Sequence, residues 1–362
     1  MLLSALLVAV LAIRVEPLAP GHPAFSQGDH LVYIAMAAAP SAPHPAPYCY
    51  RVLVPALARG LPFAPKWSFR ALAIAFLWGT GVLMYYLLRG LGQERLLALL
   101  GVALFHSLNF GTKFLLYDFW LTEPALFFFS TLAMLFLVRG GAGAASGMIV
   151  SSALCLSVLS KESALFVLPL AYTMTARRLL DRRAFVFAAV VGLAPTAIYL
   201  LERKVVPASN VYSPLALFSQ FGAGRLTTEL GGIIRGGTLG AWGVLTLVLM
   251  LLGLRRSAGF ALRSLPFIAL VYLQPLFAEN VDRLLVFGFL VVIPIAVAGL
   301  ATLASAARLA PWMTALTALV PFVLVAAKSD YQSPSPEQQI LVLALWTILI
   351  VIVKRSQVRR EA

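Results

Sequence analysis

The sequence predicts an all-α integral membrane protein, a polytopic bundle of about twelve transmembrane helices (range roughly 10–13) with short amphipathic helices in its first extracytoplasmic loop. Three observations predict it. Hydrophobic residues make up 61% of the 362 and charged ones only 12%, with a mean hydropathy of +0.91. Soluble domains carry about 25% charge and could not wet such a surface. The apolar runs approach about twenty residues, the length that crosses a hydrocarbon layer, whereas a barrel would alternate over about ten. Finally, the loops between runs sort by alternation into two sets of unlike charge. One set holds 15 basic residues and only Glu94, Asp181 and Glu361; the other holds 13 basic and 11 acidic residues. Short loops rich in Lys and Arg stay in the cytoplasm. The acidic set therefore faces outward, and chemistry is expected there.

The first span is 1–15; MLLSALLVAVLAI lacks the basic start and cleavage site of a signal peptide. Its 13 residues reach only about 20 Å of a roughly 30 Å core, so the natural start is expected upstream of Met1. The outward loop 16–69 contains SQGDHLVYIAMAAA, with polar residues at a helix start and apolar ones at helical spacing, then a Pro-rich break and a second short helix in YCYRVLVPALARGLP. Spans at 71–88, 96–112, 124–138, 140–160, 164–176 and 184–201 precede a second long outward loop, 202–237. Spans at about 238–254, 265–278, 284–304, 310–327 and 339–353 complete the chain and leave both termini cytoplasmic. No linker divides it, so residues 1–362 read as one transmembrane domain. Cys49 falls in a loop and Cys155 in a span, so no disulfide is expected. The net charge of +14 is mostly the cytoplasmic bias; no aromatic-interleaved basic patch argues for nucleic acid.

The candidate chemistry lies at the outer span ends. Asp29, in GDH, suits a helix N-cap and equally a general base at the membrane surface. Asp118 and Glu123, in YDFWLTEP, read alone as a solvated turn with an acid near a helix start. Beside Asp29 they, with Glu162, could orient an acceptor or hold a divalent cation. Lys161 and Glu162 interrupt a long uncharged run in SVLSKESALFVLP. A snorkelling lysine with a neighbouring counter-charge is the plain explanation, but ionisable groups near hydrocarbon are costly and usually functional. Arg283, beside Asp282, could grip a phosphate bidentately or merely pair with its neighbour. Arg51, in PYCYRVLVP, is a similar candidate, while His30 reads as a hydrogen-bonder at a helix start. The chain has no GxxxxGK[ST], no DxD and no GxSxG, and GAGAAS opens a span rather than following a strand.

These features together resemble the GT-C superfamily of polytopic membrane glycosyltransferases. The residues that carry the resemblance are the early Asp29 in QGDHLVYIAMA, Asp118 in the next outward loop, SVLSKESALFVLPLA, and the late DRLLVFGFLVVIP. PYCYRVLVPALA is similar to a subgroup of bacterial multi-span proteins in that superfamily. Two departures stand out: Asp118 and Glu123 replace a paired acidic motif, and the C-terminal extracytoplasmic domain that many relatives carry is not expected within residues 1–362. The resemblance implies a bacterial inner-membrane enzyme of the cell envelope, a hexosyl or pentosyl transferase. Its donor would be a sugar on a polyprenyl phosphate and its acceptor a glycan, lipid or protein. Asp29 would then be the base of an inverting transfer, with Lys161, Arg283 and Arg51 on the donor phosphate. The rival readings are a multi-span transporter or lipid flippase, which would place its charges near the bilayer midplane in repeated halves, and a non-catalytic assembly partner.

Overall fold

The computed structural model describes residues 1–213, 218–219, 230–232, 236–277, 280–328 and 334–361. Among the described residues the regular elements are all helices, as in an all-α multi-pass membrane protein. Among the described residues five helices are long and apolar enough to cross a membrane: Pro65–Gly90, Glu123–Gly140, Arg182–Val205, Ala258–Leu276 and Val281–Ala306. A sixth forms if Arg95–His106 and Phe110–Tyr117, bent by 70° to one another, count as one span. Four further apolar helices are shorter: Leu2–Arg14, Ala144–Val158, Val244–Gly253 and Pro311–Ala327.

The difference from the expected series of full-length spans has local causes. The segment at 164–176 forms a 3-10 turn, Glu162–Val167, running into the six-residue helix Leu168–Thr173. The expected span 238–254 is split into Thr238–Trp242 and Val244–Gly253 by Gly243, whose φ of +73° a helix cannot use. Residues 202–205, expected in a loop, extend the helix Arg182–Val205, while much of the 202–237 loop lies outside the described residues. Prolines at the first positions of Pro65–Gly90 and Pro311–Ala327 start those helices, because the missing N–H would be unpaired there anyway. Asp181 caps Arg182–Val205 by accepting from the N–H groups of Arg183 (3.0 Å) and Ala184 (3.2 Å).

In chain order, α1 is Leu2–Arg14, α2 Asp29–Ala38, α3 Leu53–Gly60, α4 Pro65–Gly90, α5 Arg95–His106, α6 Phe114–Tyr117, α7 Glu123–Gly140, α8 Ala144–Val158, α9 Leu168–Thr173 and α10 Arg182–Val205. Beyond residue 237, α11 is Thr238–Trp242, α12 Val244–Gly253, α13 Ala258–Leu273, α14 Val281–Leu285, α15 Phe289–Ala306, α16 Pro311–Ala327 and α17 Pro336–Glu361. The two expected helices of the first loop are α2 and α3.

The segment α14–α15 is the axis of the molecule, with 94% of its apolar window buried. It meets α12 backbone to backbone: a Cβ added at Gly299 would strike the carbonyl oxygen of Leu249, and one at Gly253 the carbonyl oxygen of Ile295. Only glycine permits that approach, as at close crossings of membrane helices generally. At one end of the bundle, Leu91, Gly92 and Gln93 of the α4–α5 turn share a cavity with Arg256, Ser257 and Gly259 of the α12–α13 turn. The opposite end gathers the start of α2, the 118–123 turn, Lys161 and the start of α14.

Candidate functional site

The first loop is laid across that end by backbone contacts. Leu18 N–H donates to Tyr117 O at 2.8 Å, and Trp120 Nε1 donates to Leu18 O at 3.0 Å, which pins the loop to the 118 turn. Leu53 N–H donates to Leu159 O at 3.0 Å and ties the start of α3 to the end of α8. His44 and Ala208 form an isolated parallel bridge, so the loop is also held at the far end of α10. Gly28, at φ +125°, turns the chain so that Asp29 becomes the first residue of α2. The helix N-cap is thus Gly28, and the Asp29 carboxylate is released for a different partner.

That partner is Arg283. Its Nη2 donates to Asp29 Oδ2 at 3.0 Å. Its Nε donates to Glu123 Oε1 at 2.8 Å, and Nη2 bonds the same oxygen. Lys161 Nζ donates to that oxygen too, at 2.7 Å. Two cations thus converge on a single carboxylate oxygen, while Glu123 Oε2 is buried with no partner. Arg283, Lys161 and Glu123 are almost completely buried; the Asp29 side chain keeps 19% of its surface exposed. Asp29 is therefore the carboxylate of this network that an external group can reach.

Arg51 forms a second node beside the first. Its Nε and Nη2 hold Glu162 bidentately, at 3.1 and 2.9 Å, and its Nη1 donates to Tyr33 Oη at 2.7 Å. The guanidinium also lies over the Tyr48 ring, 5.1 Å from its centre. Burial, helped by the charge of Asp29 and a hydrogen bond to it, pushes the Tyr48 phenol up to about 12, so Tyr48 remains a neutral donor beside that carboxylate.

A third pair lies behind Asp29. His30 Nδ1 is 3.4 Å from Asp118 Oδ2, and His30 Nε2 bonds Phe25 O at 3.0 Å. Burial opposes the charged imidazole, but the negative charge of Asp118 beside it, helped by the Phe25 carbonyl, outweighs that cost and raises the His30 pKa. Burial also raises Asp118. The 118–122 turn expected to be solvated is therefore buried, with Asp118 7% exposed. Ser163 donates to Gln274 Oε1 at 3.0 Å, next to the Lys161–Glu162 step, and Gln274 Nε2 is buried without a partner.

The structure thus brings all seven expected residues together. Asp29, Glu123, Lys161 and Arg283 share one network; Arg51 and Glu162 form a pair beside it; Asp118 joins through His30, next in sequence to Asp29. Arg283 does not pair with Asp282, whose carboxylate lies against Gly237 and Gly240. Three anions (Asp29, Glu123, Glu162) face three cations (Arg51, Lys161, Arg283), a balance that lowers the cost of burying them. Among the described residues, no group of three or more His, Cys, Asp or Glu side chains is placed to hold a metal ion. Glu123, Glu162 and Asp118 each face a basic side chain instead. Cys49 and Cys155 are both free.

Tyr33, Tyr48, Ser163 and Gln274 are members that sequence reasoning passed over. Tyr33 had a signal: it stands four residues after Asp29 on α2, on the same helix face. Gln274 had none, since its partner is far away in sequence.

Neither a curated protein nor a solved structure matches the chain. Residues 52–205, which include Asp118, Glu123, Lys161 and Glu162, match the family model described as dolichyl-phosphate-mannose-protein mannosyltransferase, a family of GT-C glycosyltransferases, and the match supports a membrane glycosyltransferase that draws its sugar from a polyprenyl phosphate.

Proposed function

We propose that the protein transfers a hexosyl or pentosyl group from a polyprenyl-phosphate donor to a hydroxyl of a glycan, lipid or protein at the outer face of a bacterial inner membrane. The whole chain acts as one transmembrane unit in this reading. The observation that carries it is Arg283, which joins the partly exposed Asp29 to the buried Glu123–Lys161 pair. A base and phosphate-binding cations then stand within one hydrogen-bonded group.

The chemistry needs those two parts and little else. Polyprenyl phosphate is already a tolerable leaving group, so no strong general acid is required, unlike a glycosidase with its two flanking carboxylates. Asp29 accepts the proton of the acceptor hydroxyl as its oxygen attacks the anomeric carbon. The bond from that carbon to the phosphate oxygen breaks on the opposite side, and the phosphate departs with the electron pair. Arg283, Lys161 and Arg51 stabilise the charge that develops on it. A single displacement inverts the anomeric centre. Asp118 and Glu123 act on geometry: Glu123 holds the cations in place, and Asp118 braces the first turn of α2.

An apolar cleft favours a lipid-borne donor. It is lined by Trp242, Leu245, Leu324, Leu343 and Trp346, and also by Gly240, which abuts Asp282 next to Arg283. An isoprenoid chain lying there would bring its phosphate towards the cations. The clustering of charge at one bundle end, rather than along the midplane, speaks against a transporter.

Asp29→Asn keeps the shape and removes the base. Transfer from a lipid-linked monosaccharide panel should fall by about 10²–10⁴-fold while the protein still inserts and folds. Full activity in that variant would remove Asp29 from the mechanism.

A further inference from the structure

Hydrogen-bond valence at His30 leads beyond that scheme. Its Nε2 is 3.0 Å from Phe25 O, a carbonyl oxygen that can only accept, so Nε2 carries the hydrogen. Nδ1 lies 3.4 Å from Asp118 Oδ2 and is buried without a hydrogen-bond partner. A neutral ring would then set a bare lone pair against a carboxylate oxygen, in a place where His30 is 2% and Asp118 7% exposed. Two acceptors do not face each other in a buried site without cost. One proton carried on Nδ1 and shared with the carboxylate oxygen removes the conflict.

We propose that His30 and Asp118 hold one shared proton and that the pair positions Asp29, the neighbouring residue on the first turn of α2. The proposal deepens the transferase reading and rests on it for its catalytic consequence. With the proton in place the pair carries no net charge. Arg283 is then left to Asp29 and Glu123 alone, and the surrounding three-against-three balance is kept. Loss of the proton leaves an unbalanced Asp118 carboxylate that acts on Arg283 and Asp29. It would draw Arg283 away from Asp29 and repel Asp29 itself. The pair does not touch substrate; it acts by fixing where the base stands.

The pH effect has a definite sign. Because the folded protein holds the proton more firmly than a free histidine, the arrangement is complete at neutral pH and is lost as pH rises through the elevated His30 value. Asp118→Asn is the diagnostic change. It is isosteric, and its amide can donate to the Nδ1 lone pair, so His30 becomes a stable neutral ring with no clash.

The test uses ¹⁵N-histidine-labelled full-length protein in nanodiscs, with His30 assigned among the four histidines by its loss in His30→Gln. In the wild type the His30 nitrogens should report a proton at or shared with Nδ1 at pH 7, titrating above the usual histidine value. In Asp118→Asn they should report the neutral Nε2–H ring across the same pH series. Alongside, kcat for transfer from a lipid-linked sugar should fall at high pH in the wild type. Asp118→Asn should lack that fall, with the donor KM unchanged. A bare Nδ1 at pH 7 in the wild type, or the same titration in both proteins, overturns the pair. The nitrogen shifts decide this even if no transferase activity is found, which would count against the function and not against the shared proton.

Discussion

At the residue scale, the site is an exercise in offsetting charge. Glu123 is the hub: one of its oxygens takes Arg283 and Lys161 together. Glu123→Gln would leave Arg283 with Asp29 alone and Lys161 without its bonded carboxylate, both still buried. Removing one partner from such a network costs about 3–5 kcal/mol. The thermal midpoint of the purified protein in detergent should drop by several degrees, and a midpoint equal to wild type would show that the network adds nothing to stability. The residue types were legible in the sequence, because charges at span ends are expensive and few. Their pairings were not. Arg283 has an acidic neighbour in Asp282, yet it reaches instead to residues on α2 and α7. Neighbours in sequence on a helix diverge around its axis, and partners are chosen by which faces the bundle brings together. His30 illustrates the same limit: its bond to the nearby Phe25 carbonyl was local and foreseeable, whereas its approach to Asp118 depended on where the 118 turn came to rest.

At the element scale, hydropathy located the helices but not their interruptions. The apolar run at 238–254 gives no hint that Gly243 divides it, because a glycine is tolerated in a helix and only its φ of +73° reveals the break. The opposite holds for Gly253 and Gly299, where glycine keeps two intact helices at backbone contact. A side chain at either position meets main-chain atoms, which cannot swing aside as a side-chain tip would. Gly299→Leu should therefore separate α12 from α15 and abolish a stable, monodisperse fold in detergent, as read by size-exclusion chromatography. A well-behaved variant would show that the contact is dispensable. Since α14 and α15 form one buried run, the same change would also displace Arg283, and with it any activity.

At the scale of the whole molecule, charge asymmetry makes the orientation testable. Leu179, 89% exposed in the basic α9–α10 turn, should face the cytoplasm, and Val211, 96% exposed beyond α10, should face outward. An impermeant thiol reagent should label Val211→Cys in intact cells and Leu179→Cys only after the membrane is opened; the reverse pattern would invert the topology and the assignment of the active face. The general architecture was readable from composition because a bilayer tolerates few alternatives to helices. The convergence of one end was only an inference from alternation, since each loop taken singly reads as an ordinary solvated turn.

The placement of Arg283 has a consequence for how this protein comes into being. During synthesis the carboxylates at 29, 123 and 162 leave the ribosome well before residue 283, and of the three cations that face them Arg51 and Lys161 alone have been made by then. Until the late cation arrives, the N-terminal helices carry surplus negative charge at an apolar boundary, a burden they cannot shed by themselves. The first half of the chain is thus a partner waiting for the second, and a truncated product would be marked for degradation by the same groups that equip the finished one to react.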